Sequence, residues 1–485
     1  MGSAPARTAR APRPASAAER YIAGVPARIM RPRLVFIACL AALVSFGVLM
    51  VYSASSVEAL NTYGSSTYFA GRQLMFAGAG VVGIVIIARL LPDRVFEERA
   101  LWLYDGAMVL LLIAVALVGR GSRGATRWLN LGFMQFQPSE FLKLGIIPLV
   151  AVLFENLYAD RVPDTSLFIK KMIVALVPSL VLIFFQPDFG TVIILVLTVF
   201  AMALFANIRK ETAIGILIAI GVLCFLAFAA EPYRVTRMLV AGDPWADEFG
   251  DGYQATLAIM AFASGGFFGR GIGNSTMKYS YLPEAHNDYI LAIIGEEVGF
   301  VGTLLFFIMF ALLIWSAIKI AEQAANRRGA LIASGSAVVL AVQFLINALG
   351  ILNVMGMTGK PLPFISYGGS SMIVSLCLAG LILRVSRESA RKDQYDRRRE
   401  SFAVYDESTA GAPRVRTARS RAGFSVYDGY ADTPRQTDPR QGAPVSRTVR
   451  PNPNGYDRID LNSDPSARLR TDGEGPRVRR DYHDR

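Results

Sequence analysis

Along most of this chain the apolar residues neither alternate, as in a half-buried strand, nor recur on one face only, as in a surface helix. They run on. Segments of about 17 to 25 predominantly apolar residues, the length a helix needs to cross roughly 30 Å of hydrocarbon, centre on 33–53, 72–92, 102–119, 140–157, 170–186, 189–207, 211–230, 289–319, 330–353 and 366–386. Lipid offers no partner to a backbone N–H or C=O, so each such segment must be helical. The pattern predicts an all-α membrane protein of about ten transmembrane helices, with a large loop, 231–288, between the seventh and the eighth. Residues 33–387 form the membrane domain, and 1–32 and 388–485 are left outside it as tails.

Composition agrees: 18% charged residues and a mean hydropathy of +0.38 over 485 residues exclude a soluble globular protein of this size. Cys39, Cys224 and Cys377 all lie in apolar segments without metal-ligand spacing, and read as small core residues. The first 32 residues are rich in Ala, Pro and Arg and contain no early apolar run, so they are not a secretory signal, and Ala6 breaks the myristoylation pattern. They read as a disordered basic tail. The segment 388–485, rich in Arg, Asp, Pro, Ser and Gly, cannot form a core and also reads as disordered. It holds a near-repeat, SFAVYD at 401–406 and GFSVYD at 423–428, open to reading as a short linear motif or as chance.

Both tails are basic, and an even number of spans puts them on one side, which the positive-inside rule makes cytoplasmic. Loops carrying Arg89 and Arg94, Lys170 and Lys171, Arg209 and Lys210, and Arg327 and Arg328 fall there too. The basic flank of Arg384, Arg387 and Arg391 reads as a topology determinant touching anionic lipid. Two outer loops break the rule. One carries Arg120, Arg123 and Arg127; the other carries Arg234, Arg237, Arg270 and Lys278. Two readings are open: a bound anion, since guanidinium forks match phosphate oxygens, or ion pairs with Asp243, Asp247, Asp251 or Glu284.

The long loop contains GYQATLAIMAFASGGFFGRGIGNS at 252–275, too short to span and too apolar for water, which predicts a re-entrant or interfacial segment. No strand precedes Gly269, Gly271 and Gly273, so they are not a dinucleotide loop; they permit tight turns close to a ligand or a neighbouring helix.

Next comes LPEAHNDYILAIIGEEVG at 282–299. Asp288 sits where loop meets helix, as a general base or as an N-terminal cap. His286 could orient it, touch substrate or pack at the interface, and Glu284 contact substrate or remain a loop carboxylate. Glu296 and Glu297 lie some 12 Å into the helix, where a carboxylate must be paired or face a wet cavity. Lys143, just inside the fourth span, is their expected partner. Ser370, in SYGGSS, faces the sugar or serves helix packing.

Several stretches together resemble one family, the SEDS proteins of shape, elongation, division and sporulation. They are GATRWLNLG followed by QPSEFLKL, QPDFGT at 186–191, DEFGDGYQ at 247–254, YLPEAHNDYILAIIGEEVGFVG at 281–302 and PLPFISYGGSS at 361–371. LPEAHNDYI looks more like the division member, whereas TGKPLPF at 358–364 is less typical of it, and Asn287 replaces the family's usual threonine. The resemblance implies ten transmembrane helices and a peptidoglycan glycosyltransferase polymerising lipid II on the outer face of the bacterial cytoplasmic membrane. It also implies a partner, a class B penicillin-binding protein, alongside other division proteins, and no nucleic acid.

By that resemblance Asp288 matches the catalytic aspartate, with His286 as helper. Arg127, Arg234, Arg237, Lys278, Glu284 and Ser370 are candidates for substrate, Arg120 and Arg123 weaker ones, and Lys143, Glu296 and Glu297 shape the cavity. Inverting transfer from a diphosphate-linked donor needs one base and cationic help for the leaving group. A divalent cation, Mg or Mn, at Asp288 is an open possibility. The alternatives are a lipid II flippase, an elongation-type polymerase and a non-enzymatic scaffold. A flippase would want repeats or midplane-broken helices, and no internal repeat is present.

Overall fold

A computed structural model describes residues 21–22, 25–118, 127–130, 132, 134–158, 165–207, 242–279, 281–401, 417–419 and 425–427. The expected seventh span, 211–230, lies outside them, as do Arg120, Arg123, Arg234, Arg237, Cys224 and most of both tails. The other nine expected segments are all helical. They are α1 (Ala27–Tyr63), α2 (Tyr68–Val85), α3 (Glu98–Val118), α4 (Pro138–Tyr158), α5 (Thr165–Phe185) and α6 (Phe189–Phe205). The loop helix α7 (Tyr253–Gly265) follows, then α8 (Ile290–Glu322), α9 (Arg327–Ile351) and α10 (Gly369–Ser401).

Seven of the described helices are long and apolar enough to span a membrane. The two remaining expected spans depart for identifiable reasons: α4 carries Glu140, Lys143 and Glu155, and α6 has only 17 residues. This is a multi-pass membrane protein. Leu103, Leu117 and Phe185 stand exposed on its outer helices, as lipid-facing positions do. In contrast, α9 and α10 are mostly buried and form the centre. Around them, α10 packs on α2, α8 on α1, and α9 on α4, α6 and α8.

Strictly alternating helices bring every second connection to the same end. One end gathers Glu98 with Lys171 (2.5 Å), Glu155 with Arg328 (2.5 Å) and Asp93 with Arg384. The other gathers the turn 64–67, the segment 127–137, the turn 186–188, the long loop and residues 352–368. Gln137 N there donates to Ser370 Oγ, and Tyr367 N to His286 O, both at 3.0 Å.

The first and last helices extend beyond residues 33–387 into both flanking segments. α1 begins at Ala27, where Arg28 pairs with Asp393 and Arg33 donates to Ser386 on α10. α10 runs past 387 to Ser401, because those contacts let the polar end of the helix dock. Residues 402–485 form a separate unit. In it Thr417–Arg419 pairs antiparallel with Ser425–Tyr427, the centre of the second near-repeat copy; residues 402–406 of the first copy lie outside the described residues.

Candidate active site

The loop segment 252–275 folds as α7 and a glycine-rich turn, and it is stitched into α8. That helix breaks at Gly299, whose φ of 69° and ψ of −170° no helix contains. The break disrupts backbone pairing around it, and the glycine-rich turn after α7 restores it. Arg270 N donates to Glu296 O at 3.0 Å and Gly271 N to Glu297 O at 2.9 Å, while Phe300 N and Val301 N donate to Gly266 O and Phe267 O at 2.9 and 3.0 Å. Such an exchange needs backbones in contact, and a Cβ on Gly269 or Gly299 would collide with the backbone opposite. For Gly269 the structure shows the closeness to a neighbouring helix that was one of the two readings.

The same stitch explains Glu296 and Glu297, and it corrects the expected pairing with Lys143. Glu296 accepts from Ser275 Oγ (2.5 Å), Thr276 N (2.9 Å) and Thr276 Oγ1 (2.7 Å), with Arg270 Nη1 at 3.4 Å. Glu297 accepts from Ser53 Oγ at 2.5 Å and Ser275 N at 3.3 Å. Both carboxylates hold residues 270–277 onto the helix. Arg270 thus takes the ion-pair reading, but with Glu296 rather than with a loop acid.

Lys143 is engaged elsewhere. Fully buried, it donates to Glu140 Oε1, Glu140 Oε2 and Gln343 Oε1, each at 2.9 Å, which uses all three ammonium hydrogens. Glu140 is one turn earlier on α4 and therefore nearer than anything on α8. Beside this pair stands a second one. Lys360 lies 2.7 Å from Asp188 Oδ1, donates to Thr191 Oγ1 at 2.5 Å, and is 3.8 Å from Glu140 Oε1. Asp188 caps α6 through Thr191 N, and Gln137 and Ser139 also donate to it at 3.0 and 3.1 Å. Burial opposes its charge, but Lys360 and then Arg127 outweigh burial and hold the carboxyl below its ordinary range.

Arg127 donates to Gln186 O at 3.1 Å and to Pro187 O, closing the turn that carries Asp188. Three cations, Arg127, Lys143 and Lys360, therefore face two carboxylates, Glu140 and Asp188. Among the described residues these five groups carry one net positive charge, which the ionised Asp288 carboxylate beside them balances until it takes up a proton.

Asp288 borders this cluster. It is half-buried at the mouth of α8, one residue before the helix cap at Tyr289, whose own side chain makes no capping hydrogen bond. Gly359, at φ 65° in the left-handed region, passes its carboxylate so closely that a Cβ there would lie 3.4 Å from Asp288 Oδ2. The next residue is Lys360. Asn347 on α9 joins the two strands of backbone, donating to Asp288 O at 3.0 Å and Lys360 O at 2.8 Å. Glu284 (φ 57°) and Phe364 (φ 66°), both non-glycine residues in left-handed conformation, flank the site; strain of this kind collects where structure is dictated by function.

The remaining candidates are placed as follows. His286 is buried in an aromatic box, 4.5 Å from the Phe69 ring and 5.6 Å from Tyr367, with Nδ1 3.3 Å from Glu58 Oε2 but not aligned for a hydrogen bond. Glu284 accepts from Asn287 Nδ2 at 2.6 Å. Lys278 donates to Gly273 O in its own loop. Ser370 accepts from Gln137 N and donates to Gln135 O, both at 3.0 Å, tying the antiparallel pair Leu129–Asn130 and Gln135–Phe136 to the start of α10. Among the described residues no three His, Cys, Asp or Glu side chains converge as a metal site. The donors at Asp288 do not by themselves form a cation cage.

Sequence reasoning missed Asp188, Lys360, Glu140, Gln343 and Asn347. A signal for Lys360 was present: it is a basic residue in an outer connection, the same anomaly that singled out Arg127. No local signal marks Asn347, whose role depends on a residue 59 positions away.

Residues 33–391 match the FtsW, RodA and SpoVE family model, described as cell cycle protein. The chain is 40% identical to the probable peptidoglycan glycosyltransferase FtsW of Thioalkalivibrio sp. (strain K90mix), over 73% of this chain and 90% of that one. It is 35% identical to the stage V sporulation protein E of Bacillus subtilis (strain 168), over 74% and 98%. Among solved structures, one on the structural coordination of polymerization and crosslinking by a peptidoglycan synthase complex superposes with a TM-score of 0.59 at 28% identity, covering 73% of this chain and 97% of that one. The rod shape determining protein RodA of Thermus thermophilus does so with 0.53 at 27%, covering 73% and 96%.

Proposed function

The chain belongs to the FtsW, RodA and SpoVE family, and from that premise we propose that it is a peptidoglycan glycosyltransferase. It polymerises lipid II on the outer face of the bacterial cytoplasmic membrane, with both termini cytoplasmic, and serves septal synthesis during division. The names of its relatives support the activity and the division role. The observation that carries the assignment of residues is the half-buried Asp288 carboxylate lying against Gly359, one residue from a buried cluster with one cation in excess.

In this reading Asp288 takes the proton of the acceptor hydroxyl as that oxygen attacks the donor's anomeric carbon. The bond from that carbon to the diphosphate breaks with inversion, and the electron pair leaves on the lipid diphosphate. One base suffices, since no covalent sugar intermediate forms. The surplus charge of Arg127, Lys143 and Lys360 stabilises the diphosphate as its charge grows, and a site fixed in advance does so without reorganising. A solved peptidoglycan synthase complex among the structural neighbours supports a transpeptidase partner, a class B penicillin-binding protein.

The test is purified protein with lipid II in detergent, with and without that partner. Wild type is expected to form glycan strands and Asp288→Ala to lose about 100-fold or more of the rate. Equal product from both overturns the role of Asp288. No strands from wild type under either condition, together with lipid transfer across vesicles, overturns the polymerase in favour of a flippase.

A further inference from the structure

At the end opposite Asp288, α2 finishes in a single π-helical turn, Ile86–Leu90, closed by Leu91 N donating to Ile86 O at 2.8 Å. Its carbonyls are taken by guanidinium groups from α10. Arg384 Nη1 donates to Ile87 O (3.1 Å) and Leu91 O (2.6 Å), and Arg387 Nη1 to Ala88 O (2.9 Å). Beside this turn is a cavity of about 230 Å³ whose lining includes Arg89, Arg384, Arg387 and Arg391. It shares Asp93, Arg384 and Glu388 with an adjoining cleft of about 370 Å³.

The charges in this cavity do not balance. Asp93 and Glu388 are its only carboxylates, and both are bonded to Arg384, Glu388 at 2.8 Å. Among the described residues no carboxylate is paired with Arg89, Arg387 or Arg391. Four guanidinium groups thus share one cavity with two carboxylates, which leaves two positive charges in excess, and Arg387 is held in place by the π-turn. Like charges so close repel unless an anion or water separates them, and guanidinium forks suit phosphate oxygens.

The rim indicates the source of that phosphate. Leu90, in the lining itself, is 69% exposed, and Ile86 one turn earlier also stands free. A membrane helix presents such side chains to acyl chains, so the cavity opens where the headgroups of the leaflet opposite Asp288 lie. We propose that this cavity is a phosphate site occupied by the headgroup of an anionic phospholipid, with Arg89, Arg387 and Arg391 on the phosphodiester and Leu90 and Ile86 against its chains. The inference does not depend on the glycosyltransferase reading.

The experiment compares wild type, Arg89→Gln with Arg391→Gln, Arg387→Gln alone, and Arg94→Gln, an exposed arginine of the same connection that does not line the cavity. Each is purified in detergent, mixed with phosphatidylglycerol or phosphatidylcholine, and examined by native mass spectrometry. Wild type and Arg94→Gln are expected to retain phosphatidylglycerol over phosphatidylcholine, and the double variant to lose that preference on the order of tenfold. Arg387→Gln is expected to fall between. Arg89 and Arg391 make no bond to the protein among the described residues, and unchanged thermal unfolding without lipid confirms that the double variant is folded. Equal retention of phosphatidylglycerol by wild type and double variant overturns the proposal. So does protection of wild type by inorganic phosphate but not by phosphatidylglycerol, which would make the ligand a free anion.

Discussion

Asp188 and Lys360 show how much of this site rests on single side chains. Asp188 is held ionised although buried, so the folded form binds fewer protons there than the unfolded one. The stability this contributes is complete above the ordinary aspartate value near pH 4, and it is lost as the pH falls from there toward the depressed native value. Replacing Lys360 with Met strands the carboxylate and is expected to cost roughly 3 to 5 kcal/mol at pH 7. Asp188→Asn in the same chain should return most of that. Thermal unfolding of the two variants in detergent checks both, and a single variant as stable as wild type would deny the pair its role.

Asn347 acts on Asp288 through the backbone and is a positioning residue. Asn347→Ala leaves two buried carbonyls without a donor, each worth about 1 to 3 kcal/mol, and is expected to lower kcat on lipid II about tenfold with KM little changed. Asn347→Asp keeps the shape but not the donors, so it should do no better; a rate restored by Asp would mean that shape alone matters. At this scale, Asp288 was legible in the chain because it stands at a predicted loop-to-helix boundary. Lys143 was seen, but its partner was not: spacing along one helix places Glu140 beside it, whereas the expected partners on α8 are claimed by the loop.

Among the elements, α8 is the one whose behaviour a hydropathy pattern cannot convey. The segment 289–319 reads as one long span, and it is a helix interrupted at Gly299 and repaired by the turn after α7. Gly299→Ala adds a side chain at φ 69° against the backbone of Phe268 and Gly269. The strain is expected to cost about 1 to 3 kcal/mol or more, seen as a lowered unfolding temperature. Glu296→Gln keeps the shape but weakens the hold on 270–277, and protease cleavage in that loop should quicken while the helices stay intact. Helix α6 is legible for the opposite reason, since its apolar run 189–207 folds as one unbroken helix, Phe189–Phe205, although the cap that Asp188 gives it was not foreseen.

In the membrane domain, alternating helices collect the connections of one end into one assembly of distant segments. Arg127, Asp188, Asp288, Asn347 and Lys360 meet there from five parts of the chain. The proposed orientation has a direct test in a variant lacking Cys39, Cys224 and Cys377. An impermeant maleimide is expected to label Ser65→Cys in intact cells, and Glu322→Cys only after the membrane is opened; the reverse pattern would invert the topology.

The chain by itself determined that it is a membrane-spanning helical protein, where its nine described long apolar segments lie and that several unusual charges fall in the connections between them. Those properties follow from the local cost of placing apolar and charged groups in water or lipid, which a short window of sequence already contains. Only the tertiary structure decided which charges neutralise one another, that Glu296 and Glu297 anchor a loop, and that Lys360 stands beside Asp288. A buried ion takes the partner that packing brings within about 4 Å, and that distance is set by helices far apart in sequence.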